Sequence, residues 1–382
     1  MNLELTEEHE ALRDSARRFV AEQCPPARAK EWDEAAFYPE DLVAQMGKMG
    51  WTTLPFPEDE GGAGAGPVEL VILAEELGRA SFDIAMCYIG NVLGSLVVRQ
   101  FAAPALREAL LADLFAGRQR LSTAISEPDA GSDVKAISTR AADQGDHFVL
   151  NGQKLWCTGA GLPRTRIALY ARTGGSPGER DGLTLFLVDP QSDGIELRRI
   201  PTLARHVMGT YEIYLSDAVV PRSAVVGEVG QAWQVLMHGL ELERVLISCA
   251  YVGAAQGTVD EALEYAKHRR QFGQRIGDFQ AVAHMIADSQ TEIDAARLLC
   301  YRAAARLAAG QPSSKEGSMA KLFASETYVR TARNGMQILG GFGFSTESTM
   351  SFRYRESIVT TISGGTSQVL RNGIARQLGL RP

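Results

Sequence analysis

The chain has 382 residues, 45% of them hydrophobic and 22% charged, which is more than one ordinary core and describes a globular protein of two or three packed units. A net charge of −7 argues against nucleic acid or an anionic membrane surface as the main partner. The five cysteines (Cys24, Cys87, Cys157, Cys249, Cys300) share no CxxC spacing and the histidines are scattered, so neither a disulfide framework nor a metal site is expected.

The first segment, MNLELTEEHEALRDSARRFV, is acidic and amphipathic, with Leu5, His9, Leu12 and Ala16 toward one helical face. It reads as a helix and not as a signal or transit peptide. No apolar stretch is expected to reach the ~20 residues that span a bilayer, and the expected location is the cytoplasm of a bacterium. Helical periodicity continues to about residue 120, in VELVILAEELGRA (68–80) and PALREALLADLFAG (104–117), broken by PFPEDEGGAGAGP (55–67).

Between about 121 and 225 the pattern changes. FVLNGQKLWCT, RIALYAR, GLTLFLVDP, GIELRRI and YEIYLSDAVVP are short runs rich in Val, Ile, Leu and Tyr, bounded by Gly, Pro, Asp or Asn, and predict strands. From Gln231 long helical patterns return, as in a four-helix-type bundle. The expected class is therefore α+β, with an N-terminal helical domain (1–120), a middle β-barrel-like domain (121–225) and a C-terminal helical bundle (226–382).

Five segments carry the chemistry. In AISEPDAGSDV (124–134) the small residues Ala130, Gly131 and Ser132 allow backbone N–H groups to approach an anionic or carbonyl-bearing ligand, and Ser126 offers a hydroxyl. NGQKLWCTG (151–159), RRQFGQRIGDFQ (269–280), QILGGFGF (337–344) and SGGTSQ (363–368) follow in order. Together they resemble the acyl-CoA dehydrogenase flavoproteins over essentially the whole chain.

That resemblance implies FAD held in a cleft between the middle β domain and the C-terminal helices. Ser126 and Ser132 match positions that contact the isoalloxazine and the pyrophosphate. Trp156 and Thr158 match the aromatic residue flanking the flavin and the hydroxyl that bonds N5, where a donor stabilises the charge placed on the ring by reduction. The alternative for Trp156 is an ordinary β-core aromatic. Arg269, Gln271 and Phe272 match the segment that reaches the FAD of a neighbouring subunit, an otherwise ordinary solvated helix face. Gln280, Gln337, Gly340, Gly341, Thr366 and Gln368 complete the set. A cross-subunit site implies a homo-oligomer, dimer or tetramer.

Most of the family carries its base, a glutamate, immediately before the Gly-Thr of the last motif; here that position is Gly364. The isovaleryl and long-chain branches carry the glutamate on a helix ending Glu-Arg, and Glu243 in LELERVL (240–246) matches it. Independently, Leu236, Leu240, Glu243 and Ile247 fall on one helical stripe, so Glu243 is expected to face inward. A carboxylate there is costly without a task or a remote ion-pair partner, and those are the two readings of it. Glu241, with His238 and Arg244 three residues away on either side, reads as a structural or surface acid.

The implied reaction is α,β-dehydrogenation of an acyl thioester: Glu243 removes the α-proton, hydride leaves the β-carbon for the flavin, and the Gly364 N–H contacts the thioester carbonyl. Met86, Cys87 and Ile89 fall near the family's acyl pocket or in the first domain's core, and Arg244 on the substrate side orients its helix. The carrier is coenzyme A or an acyl carrier protein, and an electron-transfer flavoprotein is the expected acceptor. Alternatives are oxidation of a carrier-bound acyl or aminoacyl group, enoyl-CoA reduction, and a non-catalytic flavin- or thioester-binding subunit. A departure at His206-Val207-Met208-Gly209-Thr210, commonly Arg-x-Ser-x-Thr in the family, bears on contacts near the β domain.

Overall fold

A computed structural model describes residues 5–381. Six helices come first: α1 (Glu7–Gln23), α2 (Pro26–Glu34), α3 (Glu40–Lys48), α4 (Pro67–Ala80), α5 (Phe82–Phe101) and α6 (Pro104–Phe115). Eight strands follow: β1 (Arg120–Ala124), β2 (Arg140–Asp143), β3 (His147–Thr158), β4 (Thr165–Arg172), β5 (Leu183–Val188), β6 (Ile195–Arg199), β7 (Thr210–Pro221) and β8 (Val225–Val226). Then come α7 (Ala232–His268), a hairpin of β9 (Arg270–Gln271) and β10 (Gln274–Arg275), α8 (Gln280–Ala308), α9 (Ser314–Leu339), the short α10 (Gly341–Phe344), α11 (Thr349–Ile358) and α12 (Ser367–Gln377).

These elements form two compact units that interleave along the chain. One takes Met1–Glu34, Pro55–Ile89 and Glu241–Pro382; the other takes Ala35–Leu54 and Gly90–Leu240. In the second, the strands run β6-β7-β3-β2-β4-β5-β8, with β1 added parallel to β4. Phe148 and Phe186 meet edge to face at 5.1 Å among Leu150, Ile167, Leu169 and Val220, the apolar positions that alternation sends inward.

The helical unit is organised around the C-terminal part of α7. A Cβ on Gly253 would lie 1.8 Å from the Glu75 carbonyl oxygen, so α4 crosses α7 at a distance that only glycine permits. The N-terminus of α5 is capped from α11 by the buried Glu356 carboxylate, which accepts from Ser81 Oγ at 2.6 Å, the N–H groups of Phe82 and Asp83 at 3.0 Å, and Tyr328 Oη at 3.1 Å. All five cysteines are free and buried.

Several expectations change. Leu5 precedes α1, whose N-cap is Thr6, its hydroxyl accepting from the His9 N–H. The five expected strands form as β3 to β7, while β1, β2 and β8 carried no clear alternation. The Arg-Arg-Gln run leaves the helix at His268 and enters the β9–β10 hairpin, because Phe272 and Gly273 both take positive φ, 52° and 82°. One apolar stretch does reach membrane-spanning length: α5 is 20 residues long and apolar enough, with 67% of that window buried inside the protein, as a core helix would be.

Candidate active site

The β unit presents an aromatic ring by breaking its own alternation. Along β3, Lys154 pairs with Ile213 and Cys157 with Tyr211, so three steps on β3 face two on β7. The extra residue is a bulge, and Trp156 within it takes φ 62°. Lys154 and Cys157 both point into the core while Trp156 stands 59% exposed, which removes the core-aromatic reading.

Below the bulge lies a buried ion pair. Lys154 Nζ donates to Glu127 at 2.7 Å and to the Ile125 carbonyl at 3.1 Å. Glu127 also accepts from the Ser138 N–H (2.7 Å) and Oγ (2.8 Å) and from the Thr139 N–H (2.9 Å). Burial pushes the Glu127 carboxyl up, but the Lys154 ammonium and these donors outweigh it and hold the group at about 2. The Leu155 N–H, donating to the Ser126 carbonyl at 2.8 Å, completes the tie between the 124–134 loop and β3. Ser126 and Thr158 are half-buried and Ser132 is exposed; their hydroxyls make no hydrogen bond among the described residues.

In the helical unit, Glu243 is half-buried on α7, one turn before the buried Ile247. Arg244 beside it is half-buried; burial lowers its pKa, opposed by Glu243 and then by Glu241. Ile247 meets the last motif directly: a Cβ on Gly364 would sit 2.6 Å from Ile247 Cδ1. Gly364 and Gly365 have φ of 66° and 97°, a turn that L side chains rarely adopt, and it feeds α12, whose N-cap Thr366 accepts from Val369 N. The Gly364 N–H has no partner among the described residues. Lys321, wholly buried in the first third of α9, donates to the Gly365 carbonyl at 2.7 Å.

A second group in the same unit is outward-facing. Arg269, Gln271 and Gln280 are exposed and Phe272 is 95% exposed at the hairpin tip. Tyr265 stacks on Phe342 at 5.8 Å, and Ile276 and Met285 pack with Ile338 and Leu339, so this hairpin and the Gln337–Gly341 segment share one face. Gln368 is exposed on α12. Met86 is half-buried, whereas Cys87 and Ile89 are buried, with Cys87 Sγ donating to the Asp83 carbonyl at 3.3 Å. Sequence reasoning missed Glu127, Lys154 and Lys321. A charged residue inside an apolar run, as in GQKLW and SMAKLF, was the available signal.

Three domain profiles match the chain consecutively: acyl-CoA dehydrogenase N-terminal domain at residues 6–118, middle domain at 122–218 and C-terminal domain at 230–379. The chain belongs to the acyl-CoA dehydrogenase family, oxidoreductases acting on CH–CH bonds. It is 36% identical over 380 residues to the caffeyl-CoA reductase-Etf complex subunit CarC of Acetobacterium woodii, covering 98% of each chain. It is 35% identical to the 3-(aryl)acrylate reductase of Clostridium sporogenes, covering 98% of this chain and 99% of the relative. Among solved structures, glutaryl-coenzyme A dehydrogenase in complex with glutaryl-CoA superposes with a TM-score of 0.94 at 32% identity, covering 100% of this chain and 98% of the other. PigA in complex with FAD superposes with a TM-score of 0.93 at 26% identity, covering both chains fully.

Members of the family bind FAD. The donor set fits that group: an exposed indole beside unpartnered hydroxyls on the β unit, and in the helical unit an Arg269 guanidinium with no partner among the described residues. Flat rings, ring heteroatoms and phosphates call for such groups.

Proposed function

We propose that the chain oxidises the Cα–Cβ bond of an acyl thioester with Glu243 as base, as in the isovaleryl and long-chain branches. The observation that carries this reading is the packing around Gly364. The position where most of the family holds its carboxylate is a left-handed glycine whose side-chain space is filled by Ile247, and a half-buried carboxylate stands one turn earlier on the same helix.

Bound FAD supplies the two-electron acceptor for the hydride that leaves the β-carbon. Ser126, Ser132, Trp156 and Thr158 would hold its ring and pyrophosphate. Arg269, Gln271, Phe272, Gln280, Gln337, Gly340 and Gly341 would serve FAD of a second copy, with Thr366 and Gln368 contributing from the last motif. Glu243 takes the α-proton, and the free Gly364 N–H donates to the thioester carbonyl, stabilising the charge that grows on that oxygen. Arg244 orients α7. Met86, near the acyl pocket, and Ile89 behind it bear on tail selection. The carrier is coenzyme A or a carrier protein, and the electron acceptor is an electron-transfer flavoprotein, as the name of the Acetobacterium relative suggests.

A second reading, reduction of a 2,3-enoyl thioester, is favoured by the names of the two reductases at 36% and 35% identity. It uses the same residues in reverse, Glu243 delivering the α-proton. Anaerobic mixing of the purified flavoprotein with straight, branched, cyclic and arylpropionyl CoA esters tests both. Bleaching of the oxidised flavin in the wild type, slowed by at least ~10³-fold in Glu243→Gln, is the expected result. Reoxidation of the reduced protein by aryl-acrylyl esters but not by simple enoyl esters assigns the reductive direction. Bleaching that survives the substitution removes Glu243 as base.

A further inference from the structure

We propose that Lys321 is a positioning residue for the thioester carbonyl: by pinning the Gly365 carbonyl it holds the Gly364–Gly365 turn so that the Gly364 N–H points at the substrate oxygen. The inference rests on the dehydrogenase reading and extends it to a residue outside every motif singled out above.

The turn has little else to fix it. Two successive glycines at φ 66° and 97° leave the backbone free to take other conformations, and neither has a side chain to pack. The preceding segment is anchored one residue earlier, where the Ser363 N–H donates to the Val359 carbonyl at 3.0 Å, and the following one by the Thr366 cap. Between these anchors the Lys321 contact at 2.7 Å is the side-chain hydrogen bond that fixes a peptide plane of the turn. Its methylenes come close as well: a Cβ at 364 would lie 3.8 Å from Lys321 Cε.

Stability does not account for a lysine here. The side chain is wholly buried, its hydrogen-bond partner is a neutral carbonyl, and the neighbouring charge from α7 is the Arg244 guanidinium. Burial and then Arg244 lower its pKa to about 8, with Glu326 acting the other way. The sign follows: the ammonium costs folding stability below about pH 8, and that cost is relieved as the pH rises toward the unfolded value of ~10.4. A group kept against that cost has a task at the atom it hydrogen-bonds, the Gly365 carbonyl oxygen.

Other charges on the neighbouring elements are engaged elsewhere or belong to the site. On α7 they are Glu241, Glu243 and Arg244. Glu326 on α9 itself pairs with Arg371 of α12 at 2.7 Å. Farther along α9, Arg330 meets Glu292 of α8 and Tyr328 meets Glu356 of α11. Residues 359–366 contain no ionisable side chain.

The test compares the flavin-loaded wild type with Lys321→Met and Lys321→Arg, using trans-cinnamoyl-CoA as a chromophoric enoyl thioester. Its absorption moves to the red when the carbonyl is polarised, whether or not turnover occurs. The expected result is a red shift in the wild type that is lost in Lys321→Met and retained in Lys321→Arg. In Lys321→Met kcat with the best acyl thioester falls roughly 10–100-fold, on the scale of a misdirected oxyanion donor, with KM nearly unchanged. A wild-type red shift and kcat in Lys321→Met overturn the proposal. If that variant fails to fold, Lys321→Leu takes its place: a red shift and kcat well below those of Lys321→Arg support the proposal, and wild-type values in it overturn the proposal. A wild type that neither shifts the probe nor is bleached by any thioester removes the dehydrogenase reading instead, and this role with it.

Discussion

Lys154 and Lys321 are both 0% exposed, yet they are held in opposite ways. Lys154 meets a carboxylate at 2.7 Å that is itself saturated by three further donors, so its charge is neutralised where it sits. Lys321 meets a carbonyl, with a second cation beside it. The first arrangement welds a loop to a strand and sets the exposed Trp156 above a rigid base. The second leaves a buried charge that contributes aim more than strength. Burial alone therefore does not tell a structural lysine from a positioning one; the partner does.

The contrast can be broken at either end. Lys154→Met strands the Glu127 carboxylate in the core and is expected to cost about 3–5 kcal/mol in urea unfolding, the penalty for removing one partner of a buried pair. Adding Glu127→Gln should return part of it. Next comes the turn itself. Gly364→Ala places a Cβ at positive φ, costing ~1–2 kcal/mol, and drives it into Ile247, typically ~1–3 kcal/mol more. Because the clashing atom is Cδ1, Ile247→Val should relieve the second part, making the double variant more stable than the sum of the singles predicts. The smallest effect is expected at Lys321, where Met should move the unfolding free energy by no more than about 1 kcal/mol, since the lost hydrogen bond is offset by relief of the buried charge. A loss there as large as at Lys154 would erase the distinction.

Much of this was legible in the sequence, and the residues show where legibility stops. The strands β3 to β7 announced themselves by apolar alternation between turn formers, and the Leu236–Ile247 stripe marked Glu243 as the candidate for the base that Gly364 cannot be. The bulge at Trp156 was not legible, because KLWCT contains no glycine to mark a positive φ, and regular alternation would have put the tryptophan on the same face as Lys154. The 120–124 and 140–143 strands are too short to show a period, and the first pairs with β4, more than forty residues on, while the second pairs with the β3 that directly follows it. Lys321 escaped because what it touches is a backbone atom at 365, and carbonyls leave no mark in a sequence. The two-unit division, with segments exchanged along the chain, depends on contacts that local composition does not encode.

The buried cysteines bear on handling and on dynamics. Burial pushes Cys24 and Cys157 up to about 12 and raises Cys249, which touches Cys300, well above the usual thiol range. Such sulfurs are almost entirely protonated and out of reach, so alkylating reagents and mild oxidants have nothing to attack until the fold opens. Labelling rates thereby become a clock for opening. With Cys157 in the β unit and Cys249 and Cys300 in the helical one, mass spectrometry of a timed alkylation would read two clocks from a single untagged chain, and show which unit lets go first.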